Sequence, residues 1–230
     1  MAFYYLLLGH LVGDFVLQTD KIAQNKGRYW KWNLLHVLVV TTFTLILGYP
    51  FGVFMLLLVG LNGIIHFFLD YYKAKIVTKL GLSDLSGFLL DQSLHILLLF
   101  LVSQFAVYRE PHLIDIVTVN YLLALTFITS FSAVFTQFVL SAIFYRDGCR
   151  FFEKGEKNTG ILSRLYMSIV FYISFVLSPW YLLLLPAAAA AFLIQYSRGW
   201  EKWMSRPHLA VKLILDIVIS VICVSLLIML

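Results

Sequence analysis

The stretch GHLVGDF, residues 9 to 15, places an imidazole and a carboxylate four residues apart inside an apolar run that begins at Phe3. In an α-helix this spacing puts both side chains on one face, about 6 Å apart along the axis. An ionisable group in hydrocarbon costs roughly 2.5 to 3.5 kcal/mol, so each such pair needs a physical reason. The chain contains three pairs with this spacing, namely His10 with Asp14, His66 with Asp70, and Asp91 with His95.

The composition is typical of a membrane protein. Of the 230 residues, 61% are hydrophobic and 13% are charged, and the mean hydropathy is +0.90. These values lie well outside the usual range of soluble domains. The net charge of +5 indicates topology rather than nucleic-acid binding, because the basic residues cluster in alternate connections. The sequence has no P-loop, Rossmann glycine pattern, GxSxG or HExxH motif, which excludes the common nucleotide-binding and hydrolase signatures.

Eight apolar runs approach the length needed to cross about 30 Å of hydrocarbon. The first, third, fifth and seventh connections between them are rich in lysine and arginine, with Arg164 counted in the fifth, whereas the even ones hold only Arg109. By the positive-inside rule, the odd connections face the cytoplasm and both termini lie outside it. The runs lie at about 3 to 19, 33 to 48, 51 to 72, 85 to 107, 117 to 145, 161 to 178, 181 to 197 and 208 to 229.

We therefore predict an all-α, polytopic helical membrane protein with about eight transmembrane helices. Residues 1 to 230 form a single membrane domain in this prediction. Residues 1 to 107 are a four-helix half that carries the His/Asp cluster, and residues 108 to 230 are supporting helices. With this topology, the ionisable residues of the first four helices fall in one slab roughly 4 to 17 Å below the cytoplasmic surface. These residues are His10, Asp14, His36, His66, Asp70, Asp91 and His95.

Such a cluster predicts a metal centre. Four imidazoles with carboxylates are the ligand set of zinc, iron or manganese sites, and we expect one or two divalent transition ions, with zinc first. Asp14 and Asp91 are the candidates for a catalytic role. Two other interpretations stay open, namely a proton or ion pathway and a structural hydrogen-bond network. Gln18, Asn62 and Gln92 neighbour the cluster along their helices and are expected to orient its ligands.

Asp216 is the one carboxylate of the later helices that could join this cluster. It lies one helical turn after Lys212, so an ordinary ion pair between the two side chains explains it equally well.

The spacing of these residues resembles a known family. The patterns GHxxxDFxxQTD from residue 9, LLH from residue 34, HFxxDxxK from residue 66 and DQxxH from residue 91 are similar to the bacterial integral membrane family catalogued as domain of unknown function 3307. The resemblance is strongest over residues 5 to 100. It implies a multi-pass protein of the bacterial inner membrane, and the family label implies no activity.

The expected function is metal-dependent hydrolysis or group transfer. A substrate that reaches a site at this depth from within the bilayer is amphiphilic, so a lipid-like molecule is expected, with membrane lipids as partners and no nucleic acid. The alternatives are a transporter coupled to divalent cations or protons and a non-catalytic assembly protein with a structural metal. The sequence leaves the oligomeric state undetermined.

Overall fold

The computed structural model describes residues 1–107, 114–144, 161–177 and 206–229, which are helical and contain no strand. Five helices in these ranges are long and apolar enough to cross a membrane, which confirms an all-helical, membrane-type architecture. Shorter apolar helices cover the first and sixth predicted runs, and the run at 181 to 197 lies outside the described residues. The count of eight and the side of the termini stay predictions. The five helices are Trp30–Phe51, Val53–Leu80, Asp84–Ser103, Ile116–Phe144 and Pro207–Leu227.

The chain divides into two compact units, Met1–Thr126 and Phe127–Leu230. In the first unit, helix α1 continues into a π-helical turn at Val12–Val16. The helices of this unit are α1 (Ala2–Leu11), α2 (Asp20–Asn25), α3 (Trp30–Gly48), α4 (Val53–Leu80), α5 (Asp84–Ser103) and α6 (Ile116–Thr126). The second unit contains a π-helical turn at Phe127–Phe131 and the helices α7 (Ser132–Phe144), α8 (Ile161–Leu177) and α9 (Arg206–Met229).

Local signals explain where the helices of the first unit begin and end. The Thr19 hydroxyl accepts a hydrogen bond from the Ile22 amide and caps α2, and the Ser83 hydroxyl caps α5 in the same way. Helix α4 ends at Gly81, which adopts a left-handed conformation with φ of 62° that glycine accommodates without strain. These caps fix the ends of the helices that carry the polar cluster.

Helices α1 and α3 approach each other closely at two glycines. A Cβ atom on Gly9 would lie 2.6 Å from Thr44 Cα, and one on Gly13 would lie 2.5 Å from Val40 Cα. Glycines four residues apart allow helix backbones in a membrane to make such contact. This packing brings the polar residues of α1 beside the N-terminal half of α3.

Helix α4 has an exposed apolar face and a buried face that is partly polar. Large apolar side chains are exposed on one stripe, as expected of a surface that faces lipid. The opposite face is buried and turns from apolar to polar toward its C-terminal end. The exposed stripe contains Leu57, Leu61, Ile64 and Phe68, and the buried face contains Met55, Val59, Asn62, His66 and Asp70.

The second unit has its own buried polar network. The Asp216 carboxylate accepts hydrogen bonds of 2.9 Å from Arg164, Lys212 and Ser163. The charge pattern counts Arg164 with the fifth connection, but this side chain is fully buried in α8 because its guanidinium pairs with Asp216. The predicted Lys212/Asp216 ion pair is therefore present, and Asp216 is bound within the second unit.

Candidate metal centre

The predicted His/Asp residues lie together in the first unit. All seven are buried, and close approaches between imidazole nitrogens and carboxylate oxygens join them into one cluster. They come from five elements of the first unit. His10 lies on α1, Asp14 on the following π-turn, His36 on α3, His66 and Asp70 on α4, and Asp91 and His95 on α5.

Asp70 is the centre of the cluster. Its Oδ2 atom lies 3.3 Å from His36 Nε2 and 3.5 Å from His66 Nε2. Its Oδ1 atom faces the other side and lies 3.6 Å from His95 Nε2. A single carboxylate thus faces imidazoles from three helices, with its two oxygens turned toward different partners.

Asp14 and Asp91 lie at the edges of the cluster. Asp14 Oδ1 is 3.1 Å from His36 Nε2, and Asp14 Oδ2 is 3.9 Å from His10 Nε2. Asp91 Oδ1 is 3.5 Å from His95 Nε2. Each of these carboxylates therefore contacts at least one imidazole of the cluster.

The four imidazole rings are packed against one another. The rings of His66 and His95 stack with centroids 4.1 Å apart, and the His10 ring lies 5.3 Å from both. The His36 ring lies 5.4 Å from that of His66. Rings at these separations can direct several nitrogens toward a common point.

Several donor atoms of the cluster lack a hydrogen bond. Among the described residues, the Nε2 atoms of His10, His66 and His95 and both oxygens of Asp70 are buried without one. Asp70 Oδ2 is paired instead with the ammonium of Lys26, 3.0 Å away. A buried polar atom without any partner costs about 1 to 3 kcal/mol, so the other four atoms at one place call for another partner. Two groups of residues have potential ligand atoms that all lie within 4.8 Å of one another inside the group. The first group is Asp14, His36 and His66, and the second is His66, Asp70 and His95.

Two lysines complete the polar site. Lys26 Nζ, from the connection after α2, lies 3.0 Å from Asp70 Oδ2 and 3.4 Å from Asp14 Oδ1. Lys73 Nζ lies 2.7 Å from Asp91 Oδ2. Burial lowers the pKa of Lys26, but the charges of Asp70 and Asp14 outweigh this and raise the pKa above its usual value. Both side chains are partly exposed, at 17% for Lys26 and 32% for Lys73.

The sequence reasoning missed both lysines. Lys73 lies one helical turn after Asp70, and this spacing is a signal that could have indicated it. Lys26 lies in a basic and aromatic connection that resembles an ordinary membrane border, so no local pattern distinguishes it from its neighbours.

The predicted orienting amides behave differently from one another. Gln92 Nε2 donates to Asp14 Oδ2 at 3.1 Å and to Asp91 Oδ2 at 3.3 Å, so it links two carboxylates of the cluster. Gln18 and Asn62 make no hydrogen bond to the cluster within the described part of the chain. Their role in orienting ligands stays a prediction.

The fold and the site define a helical membrane-type protein whose first unit encloses a buried cluster of histidines and aspartates. The model of the family described as "Protein of unknown function (DUF3307)" matches residues 2–124, which is more than half of the chain. The chain belongs to this family, which confirms the resemblance, and the matched segment contains the whole cluster. Neither a curated protein nor a solved structure matches the chain.

Proposed function

We propose that this protein is a bacterial inner-membrane metalloenzyme that performs hydrolysis or group transfer on a lipid-like substrate. The observation that carries the proposal is the group of buried donor atoms without a hydrogen bond on His10, His66, Asp70 and His95. A bound cation would accept these lone pairs and remove the cost of leaving them unpaired.

The donor chemistry favours a transition metal. His66, Asp70 and His95 provide two imidazole nitrogens and one carboxylate oxygen within 4.8 Å of one another, and the His10 ring lies 5.3 Å from both imidazoles. We propose that His10 joins them as a third imidazole, and this nitrogen-rich set suits zinc, and also iron or manganese, better than calcium or magnesium. Asp14, His36 and Asp91 lie at the border of this set and provide further oxygen and nitrogen atoms. Zinc is therefore the first choice for the ion.

Access to the centre is from one side. The apolar core of the first unit begins close to the cluster on each helix. Leu6 on α1 and Leu99 on α5 lie one turn from the cluster, Val59 on α4 lies two turns away, and all three are fully buried. The partly exposed ammonium groups of Lys26 and Lys73 lie on the other side. A site closed at one end supports catalysis over a channel, because a channel needs a continuous path across the protein.

The carboxylates at the edge can serve the reaction. A divalent ion in such a site lowers the pKa of a bound water toward 7 or polarises a phosphoryl or acyl oxygen. Asp14 and Asp91 each contact an imidazole of the proposed set and are placed to accept a proton.

The test is the metal content of the purified protein. We expect wild-type protein in detergent to retain a transition metal after washing, and the His66→Ala variant to lose it, because this variant removes a shared ligand. Thr44→Val is a matched control, since Thr44 is also buried and its hydroxyl bonds only to Val40 of its own helix. Wild-type metal content in His66→Ala protein would rule out the ligand assignment. Weak, exchangeable binding to wild-type protein would favour a carrier.

A further inference from the structure

Lys26 brings a positive charge into the cluster itself. Its Nζ atom lies 3.0 Å from His36 Nε2, 3.4 Å from Asp14 Oδ1 and 3.0 Å from Asp70 Oδ2. These three atoms belong to residues expected to bind metal. The ammonium is thus surrounded by nitrogen and oxygen atoms in the manner of a coordinated cation.

The neighbouring part of the cluster has a different composition. Within the described part of the chain, the Nε2 atoms of His10, His66 and His95 lack a hydrogen bond, and none of the three has a close contact with Lys26. Asp70 links the two parts, since Oδ1 faces His95 while Oδ2 faces His36 and Lys26. A carboxylate used in this way is the usual bridge of a site for two metal ions, in which the ions lie about 3.5 to 4 Å apart.

A metal ion and the ammonium exclude each other in the part around Asp14 and His36. Zinc would bind an imidazole nitrogen and a carboxylate oxygen at about 2.0 to 2.2 Å. An ion at these distances from both atoms, on the side where Asp14, His36 and Asp70 Oδ2 surround Lys26 Nζ, falls in the space that this ammonium now fills, and the two like charges would repel each other. Only one of the two cations can therefore occupy this position.

We propose that the centre has two cation positions bridged by Asp70, and that the Lys26 ammonium permanently fills one of them in place of a second metal. This inference rests on the proposed function, which supplies the metal of the other position. The tethered ammonium provides one positive charge beside the ion, holds Asp14 and Asp70 together, and brings no second bound water. The wild-type centre is accordingly mononuclear although its ligands suffice for two ions.

The test is metal stoichiometry after saturation with zinc alone and removal of loosely bound ions. We expect one ion per chain in wild-type protein and two in Lys26→Gln, because the neutral side chain frees Asp14, His36 and Asp70 Oδ2. Lys26→Arg keeps the charge and is expected to retain one. Lys21→Gln is the matched control, since Lys21 lies just before Lys26 and contacts the Trp32 ring instead of the cluster.

Each result has a distinct meaning. Two ions in wild-type protein, or one ion in a folded Lys26→Gln protein, would overturn the inference and leave the proposed function standing. Failure of wild-type protein to bind zinc, manganese or iron would instead refute the proposed function. If Lys26→Gln does not fold, the wild-type stoichiometry together with Lys26→Ala decides the matter. Manganese loading provides a second measurement, since two ions that share a carboxylate give a spin-coupled resonance spectrum.

Discussion

Asp216 shows what a single buried charge contributes in the second unit. It is fully buried and pairs with Arg164 and Lys212, both of which are fully buried as well. Replacing it with asparagine leaves two cations with a weaker partner, and breaking a buried ion pair in this way costs about 3 kcal/mol or more. We expect Asp216→Asn to lower the free energy of unfolding in detergent by about this amount.

Ser220→Ala provides the comparison for this measurement. Ser220 is fully buried in the same unit, and its hydroxyl donates one hydrogen bond to the Arg164 carbonyl oxygen. Loss of a neutral hydrogen bond costs about 1 kcal/mol. Equal losses of stability in the two variants would show that the charge of Asp216 is not what stabilises the network.

The residues of the site differ in how far the sequence indicates them. The histidines and aspartates stand out because each ionisable group interrupts an apolar run, and their helical spacing places them on shared faces. The sequence contains no such signal that Lys26 contacts the cluster or that Arg164 is buried. A lysine or arginine near a membrane border commonly points to water, and only the path of the chain determines whether it turns inward.

The π-helical turn at Val12–Val16 changes how Asp14 is presented. The Leu17 amide donates to the Val12 carbonyl, five residues back, which widens the helix at this point. The spacing of His10 and Asp14 predicts a regular helical pair, yet their closest approach is 3.9 Å, and Asp14 comes nearer to His36 at 3.1 Å. The pattern of apolar residues cannot reveal such a turn, because a hydrogen bond to the fifth residue back instead of the fourth changes the backbone and not the sequence.

Close contact between helices α1 and α3 is needed to bring the residues of the site together. Any side chain on Gly9 collides with the backbone of Phe43 and Thr44, and backbone atoms cannot move aside as a flexible side chain can. We expect Gly9→Ala to separate the helices, to destabilise the protein by about 1 to 3 kcal/mol, and to lower metal retention. Thermal unfolding and metal content measure the two effects.

Gly60→Ala is the matched control for Gly9→Ala. Gly60 is also a glycine within a helix of the first unit, but a Cβ atom there would meet nothing within 4 Å. Alanine has the higher helix propensity, so this variant is expected to be unchanged or slightly more stable. Equal destabilisation in both variants would mean that close backbone contact is not the reason for Gly9.

At the scale of the whole molecule, composition and the apolar runs predict the all-helical, membrane-type class of the protein. The helical class follows from apolar runs that must satisfy their own backbone hydrogen bonds in lipid. Within the described residues, the first run forms an apolar helix shorter than a full crossing. The side of the membrane that each terminus faces is predicted only from the distribution of lysine and arginine, and an experiment tests it.

Labelling of introduced cysteines tests the predicted orientation. Lys79, near the end of α4, and Gln104, just after α5, are both exposed. Helix α5 lies between them in the sequence, so they mark its two ends. In a background in which Cys149 is replaced by serine and Cys223 by alanine, we expect a membrane-impermeant thiol reagent to label Gln104→Cys in intact cells. Lys79→Cys is expected to react only in inside-out vesicles, because the basic connection faces the cytoplasm.

The two cysteine variants check each other, since each should react only where the other does not. A reversed pattern would place the lysines outside the cytoplasm and with them the lysine side of the metal centre, so the predicted position of the cluster beneath the cytoplasmic surface would be wrong. Reaction of both variants from the same side would mean that α5 does not cross the membrane, because its ends would then share one aqueous compartment. Only the expected pattern is compatible with a polar slab beneath the cytoplasmic surface, because Asp91 lies in the half of α5 nearer to Lys79 and His95 lies just past the middle of this helix.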